Sequence, residues 1–166
     1  MIRSFNGKTP KIAESAFVSE AAYVVGDVEI GENSSVWPGA VIRTESASIK
    51  IGANTAVEDN CVIHGGITIG DNVTIGHSAV VQCRRIGSNI LIGMSATVLH
   101  GAEIGSFSVI GAGCLVSQGM KIPDNSFVVG VPAKIRGQVS SERQLQELQG
   151  SQYYVELARQ YKEQGL

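Results

Sequence analysis

Bulky β-branched residues recur at every sixth position along most of the chain. Ile or Val holds the first position of twenty hexads, with a three-residue insertion before Ile51 and one omitted residue before Ile86. The fifth position of most hexads is small, as at Ala22, Ala40 and Cys61. This pattern predicts three short strands per turn of a parallel β-helix. The fold class is therefore all-β, with almost seven triangular coils.

A helical pattern replaces the hexads near the end of the chain. Apolar residues recur there every three or four positions, and Gly150 interrupts them, which predicts two helical segments capped by Ser140 or Ser141. We divide the chain into a β-helix domain, residues 1–137, and a helical extension, residues 138–166. We expect the extension to pack on the prism or on a neighbouring subunit.

Composition and charge argue against several classes of protein. The net charge is -2 and aromatic residues make up 5%, which argues against nucleic acid as a partner. No apolar run is long enough for a membrane span, and the first residues lack a secretion signal, so we expect a cytoplasmic protein. The three cysteines lack CxxC spacing, which disfavours a disulfide framework. Of these, we expect Cys83 to face outward beside Gln82, as an exposed thiol in preference to a metal-binding or reactive one.

The phase of the hexads places candidate ligands in space. Because three hexads close a coil, His64 and Gln82 stack on one face, roughly 4.8 Å apart, and could converge on one ion. His77 lies on a different face, so we do not expect one chain's two histidines to share a metal. A three-fold oligomer would supply the missing contact. His100 lies nearly two coils from His64 and is interpreted as a surface or interface residue.

Several motifs together carry a family resemblance: VWPGAVIRTES, VEDNCVIHGG, TIGDNVTIGHSAVV, VVGVPAKIRG and YVELARQY. Over essentially the whole chain, they resemble the γ-class carbonic anhydrase-like family. The resemblance implies a left-handed β-helix and a homotrimer with Zn²⁺, or another divalent metal such as Fe²⁺ or Co²⁺, at each subunit interface. It also implies reversible hydration of carbon dioxide to bicarbonate by a metal-bound hydroxide.

The resemblance assigns metal ligands to three positions. His64 is the first ligand, and His77 is offered to the neighbouring chain. The third family ligand is a histidine five residues after His77, but this chain has Gln82 there. An amide oxygen is a weaker donor than imidazole, so we expect looser zinc binding. The acidic loop that can carry a proton shuttle in active relatives is absent after His64.

The resemblance also assigns roles around the metal ligands. Arg43 and Asp59 match a pair that meets across the subunit contact, and Glu45 stands where many relatives have Asp. Glu58 could act as a general base or be a solvated turn carboxylate. Tyr154 could reach the site from the helix or pack in the core.

Three function classes follow. The first is a metal-dependent carbon dioxide hydratase. The second is a non-catalytic scaffold or small-molecule binder, which Gln82 and the missing loop favour. The third is a hexapeptide acyltransferase, ranked lower because such enzymes usually extend a long loop and this chain inserts only three residues.

Overall fold

The computed structural model describes residues 1–166 and shows a left-handed parallel β-helix of about seven coils with a C-terminal helix, which confirms the predicted fold class. Each coil contributes one short strand to each of three sheets, because the hexads bring an Ile or Val to the prism axis on every side. The strands of the first sheet are Ile2–Arg3, Tyr23–Val25, Val41–Arg43, Val62–His64, Val80–Val81, Thr97–Val98 and Leu115–Val116.

The other two sheets follow the same parallel order. The second sheet contains Lys11–Ile12, Val28–Ile30, Ile49–Ile51, Ile67–Ile69, Arg85–Ile86, Glu103–Ile104 and Lys121–Ile122. The third contains Phe17–Val18, Ser35–Val36, Ala56–Val57, Val73–Ile75, Ile90–Ile92, Val109–Ile110, Ser126–Val129 and Lys134–Gln138. Its last strand turns back antiparallel to Ser126–Val129 and crosses the expected domain boundary by one residue.

One apolar cluster of 33 buried residues fills the axis of the prism. Cys61 and Cys114 both hold the small fifth position of a hexad and are 0% and 1% exposed. The prediction that Cys83 is an exposed thiol is wrong, since it is 2% exposed. Ile86 follows Val81 by five positions instead of six, and this shortened hexad turns Cys83 inward. Burial raises the pKa of the Cys83 thiol to about 12.

Asparagines line one corner of the prism, where the chain turns sharply between sheets. Each has a φ between 53° and 58°, a left-handed conformation that asparagine tolerates better than most residues. Their side-chain amides form a ladder with 3.2 Å bonds that joins consecutive coils through Asn33, Asn54, Asn72 and Asn89. The ladder satisfies polar groups along this corner and fixes the register of the stacked coils.

The helical extension is one continuous helix, Ser141–Gln164, so the prediction of two segments is wrong. An interior glycine costs a helix only about 1 kcal/mol, which capping and packing on the prism offset. Ser140 is the N-cap and accepts a hydrogen bond from the Arg143 backbone, within the predicted alternatives. The helix is not long and apolar enough to cross a membrane.

The helix packs along the third sheet of its own chain. Near its start, the Gln144 amide donates to Asn125 Oδ1 at 2.8 Å, and near its end Lys162 Nζ donates to the Ala16 carbonyl at 3.0 Å. Between these contacts, a small apolar cluster centres on Phe17, Trp37 and Ala158, with Tyr154, Leu157 and Tyr161 against it. This packing positions Tyr154 above the coil that carries Glu58.

Candidate functional site

His64 and Gln82 stack on the outer surface of the first sheet, as the hexad phase predicts. Their strands pair in parallel, with Ile63 opposite Val81. The next residue on each strand points outward, and Gln82 Nε2 lies 3.3 Å from His64 Nδ1. Two potential metal ligands are therefore adjacent within one chain.

Two charged residues adjoin this stack from the preceding coil. Arg43 is the strand partner of His64 and pairs with one oxygen of Glu45. The other Glu45 oxygen lies 3.2 Å from His64 Nε2. The hydrogen bond with His64 and the charge of Arg43 lower the pKa of the Glu45 carboxyl. Within one chain the partner of Arg43 is thus Glu45, and its predicted pairing with Asp59 of a neighbour stays a prediction.

His77 lies at the corner that follows the third sheet, between two carboxylates. Its Nε2 is 3.1 Å from Glu58 Oε2, and its Nδ1 is 3.0 Å from Asp59 Oδ2. The His77 backbone N–H also donates to Glu58 Oε2 at 2.9 Å. Glu58 is only 4% exposed, so its interpretation as a solvated turn carboxylate is wrong. It is a buried side chain whose orientation is fixed by the His77 backbone.

Tyr154 combines the two roles that the sequence left open. Its ring packs edge-on against Trp37, with centroids 5.7 Å apart, while its phenol lies beside Glu58. Burial, followed by the hydrogen bond and charge of Glu58, raises the pKa of the Tyr154 phenol. The phenol therefore stays protonated and can act as a hydrogen-bond donor to the carboxylate.

The candidate ligands form two half-sites on different surfaces. His64 and Gln82 belong to the first sheet, whereas His77 follows the third, and no group of three or more His, Cys, Asp or Glu side chains could hold a metal within the chain. His100 is exposed and makes no contact with either half-site. The three predicted ligands thus lie on two separate surfaces of one chain.

A column of glycines beside Glu58 was not predicted from the sequence. Three glycines occupy the same hexad position as Glu58 in the next three coils: Gly76, Gly93 and Gly111. A cavity of about 290 Å³ lies over them and under the start of the helix, with Glu58, Leu91, Met94 and Phe127 among its walls. The hexad phase already places these glycines in one column, so the signal was present in the sequence.

The comparisons with known proteins agree with this architecture. The chain matches the family described as bacterial transferase hexapeptide (six repeats) over residues 9–44, 48–83 and 85–118. The gaps coincide with the insertion before Ile51 and the omitted residue before Ile86. A carbonic anhydrase of Geobacillus kaustophilus is 39% identical over 98% of this chain and 91% of its own length.

Two further relatives extend the comparison. The mitochondrial gamma carbonic anhydrase 2 of Arabidopsis thaliana is 35% identical over 91% of this chain, which spans 58% of that relative's length. A crystal structure of a hexapeptide transferase family protein from Anaplasma phagocytophilum has a TM-score of 0.94 and 33% identity, covering 96% of this chain and 97% of that one.

Proposed function

Because the chain belongs to the γ-class carbonic anhydrase-like family of hexapeptide-repeat proteins, we propose that it is a homotrimeric, divalent-metal-dependent enzyme that reversibly hydrates carbon dioxide. The observation that carries the proposal is the division of candidate ligands between two surfaces of one chain. His64 and Gln82 would meet His77 of the partner subunit, so each trimer would hold three equivalent sites.

The outer surface of the first sheet supports a subunit contact there. One outward column consists of Tyr23, Val41, Val62, Val80, Thr97 and Leu115, which are aligned by strand pairing. Val80 is 40% exposed and Tyr23 38% in the single chain. A column of exposed and partly exposed, mostly apolar residues beside His64 and Gln82 is typical of an interaction surface. Burial against a neighbour's corner would place His77 of the partner subunit near the stack.

The donor types fit a divalent metal. Neutral imidazole suits zinc and related ions, and amide oxygen is an acceptable additional ligand. Ligating histidines commonly donate their second ring N–H to a carboxylate, and His77 has one carboxylate at each ring nitrogen. Metal binding by His77 would displace one of these carboxylates and leave the other to orient the ring. A bound metal would supply the Lewis acidity that makes water nucleophilic near neutral pH.

Glu58 is the residue to which we assign proton transfer. It is buried and held by the His77 backbone N–H, so its carboxylate has a fixed direction toward the half-site. A general base must lie within hydrogen-bond reach of the proton that it accepts, and Glu58 lies beside the ring that would hold the metal. The protonated Tyr154 phenol steadies that carboxylate, which makes Tyr154 a positioning residue.

One contact favours the second function class, a scaffold without catalysis. The Gln82 amide lies within hydrogen-bond distance of His64 Nδ1, so the two side chains can satisfy each other with no metal between them. A weak third ligand would make occupancy depend on the metal supply. A full metal complement per chain after dialysis would contradict the scaffold proposal.

The similarity to a hexapeptide transferase family structure keeps acyl transfer as a further candidate. The test is release of free thiol from an acyl thioester in the presence of an amine or hydroxyl acceptor. Thiol release that depends on His64 and is unaccompanied by carbon dioxide hydration would favour transfer over hydration.

A mixing experiment tests the shared metal site directly. His64→Ala and His77→Ala should each lose bound metal and hydration activity, because each removes one ligand from every interface. Co-expressed at equal levels, the two variants should recover about a quarter of both, since half the interfaces retain His64 and half of those meet an intact His77. Metal analysis and stopped-flow hydration assays measure the recovery.

His100→Ala is the matched control and should keep full metal and activity. If mixed trimers form, as mass spectrometry would show, but neither metal nor activity recovers, the site is not shared between subunits. Retention of full metal by either single variant would likewise contradict the ligand assignment.

A further inference from the structure

The cavity beside Glu58 is built from apolar side chains of the upper coils. Leu91 and Val109 come from the outer surface of the third sheet. Met94 and Phe127 also line the cavity and are 56% and 40% exposed in the single chain. The helix covers the lower coils of this sheet but contacts the upper ones little, so these side chains keep an open space between them. The volume of about 290 Å³ matches the small end of ligand sites.

The floor of the cavity is backbone. A Cβ at Gly93 would lie 2.5 Å from the Ala112 nitrogen, and a Cβ at Gly111 would lie 2.6 Å from Val129 Cγ1. Close stacking of the backbones therefore requires glycine at Gly93, whereas a side chain at Gly111 would have to displace the Val129 side chain. The consequence is a smooth trough in the column where Trp37 and Glu58 project large side chains in the lower coils.

The two charged groups of the cavity differ in what they can still bind. Glu58 is buried and already accepts from the His77 backbone, with Tyr154 beside it, so it does not require a cationic ligand. Arg143 projects from the first turn of the helix with a half-exposed side chain, and its Nε pairs with Glu147 at 2.5 Å. A guanidinium has five N–H donors, so the terminal nitrogens of Arg143 remain available to an anion at the rim.

We propose that this cavity binds a small amphipathic monocarboxylate, with its apolar chain on the glycine floor and its carboxylate on Arg143. The apolar walls favour a ligand with an apolar chain, and the Arg143 guanidinium at the rim favours a negatively charged end group. This proposal does not depend on the proposed hydration activity, because none of its binding contacts requires a metal.

Octanoate is the probe, with octan-1-ol and octylamine as ligands of similar length but different charge. Calorimetric titration of the full-length protein should show saturable octanoate binding at one site per chain. Arg143→Gln should weaken octanoate about tenfold, the size expected for loss of one charge-assisted contact, and leave octan-1-ol unchanged. Arg136→Gln, an exposed arginine outside the cavity, is the matched control.

Leu91→Trp should fill the cavity and abolish octanoate binding, and the Met94 methyl NMR signal should stop responding to the ligand. Tighter binding of octylamine than of octanoate would overturn the charge assignment. Octanoate affinity unaffected by both Arg143→Gln and Leu91→Trp, or no saturable binding, would overturn the site. Binding by His64→Ala protein that lacks metal and hydration activity would support the cavity independently of the proposed function.

Discussion

The outer surfaces of the first and second sheets share one backbone repeat, but the first is mostly apolar and the second is mostly charged. The second sheet presents a column of mostly alternating charges: Lys11, Glu29, Lys50, Thr68, Arg85, Glu103 and Lys121. The corresponding column of the first sheet is apolar from Tyr23 to Leu115 except for Thr97. Both sheets point an Ile or Val inward at the first position of each hexad, so the fold does not explain the difference.

The hexad repeat requires Ile or Val at its inward positions but does not determine the outward side chains. Opposite charges in neighbouring strands stabilise each other in water, so the second sheet has no need of a cover. The first sheet exposes apolar side chains next to His64 and Gln82. Covering these side chains with another surface removes them from water, which is favourable. Two of the candidate metal ligands, His64 and Gln82, therefore lie on the face that we expect to be buried between subunits.

The largest expected effect is a charge placed on the apolar face. Val80→Glu would bury an unpaired carboxylate at the subunit contact, at a cost of about 3–5 kcal/mol per interface. We expect the trimer to dissociate into monomers and the metal to be lost with it. Analytical ultracentrifugation measures the assembly state.

Thr68→Glu is the matched control on the second sheet. It places the same side chain between Lys50 and Arg85, where a negative charge is favourable, so the trimer should persist. Dissociation by Thr68→Glu, or a stable trimer with Val80→Glu, would reverse the assignment of the two faces.

The next prediction concerns the free energy of unfolding at alkaline pH. It involves Cys83, which lies in the shortened hexad between the first and second sheets. Burial raises the pKa of both Cys61 and Cys83 from an ordinary 9.0 to about 12. Unfolded thiols ionise near pH 9 while the folded ones stay neutral, so the free energy of unfolding should fall as pH rises from 9 toward 12. The slope should be up to about 1.4 kcal/mol per pH unit for each thiol.

Urea unfolding at several pH values measures this slope, and Cys83→Ala should lower it by the share of one thiol, up to about 1.4 kcal/mol per pH unit. The native thiols should also resist modification at pH 8 and react only after unfolding. A rapidly modified Cys83 in the folded protein would show that the shortened hexad does not turn it inward in solution.

A smaller effect is expected from restoring imidazole to the stack. Gln82→His should tighten zinc binding by about tenfold or more, because imidazole is the better zinc ligand, and should raise the hydration rate. Leu99→His, at the same position one coil further, is the matched control and should change neither. Chelator competition measures the affinity. Equal gains in both variants would show that register with His64 is not responsible.

The sequence predicted those parts of the molecule that depend on the period alone. The hexad phase was enough to stack His64 on Gln82 and to separate both from His77. It did not predict the burial of Cys83, because a five-residue spacing has no unique phase, or the unbroken helix through Gly150, which depends on packing and caps. The burial of Glu58 could not be predicted from the hexad phase either, because it depends on the helix lying over the third sheet.

The smallest expected effect comes from reversing one charge on the second sheet, whose outer surface then remains charged. Glu29→Lys would align three like charges with Lys11 and Lys50, at a cost below about 1 kcal/mol that salt should reduce. Urea unfolding at low and high salt measures the cost, and the trimer should remain intact in both. If this substitution dissociated the assembly instead, the second sheet would be part of the subunit contact, and the apolar column of the first sheet would no longer distinguish the buried face from the free one.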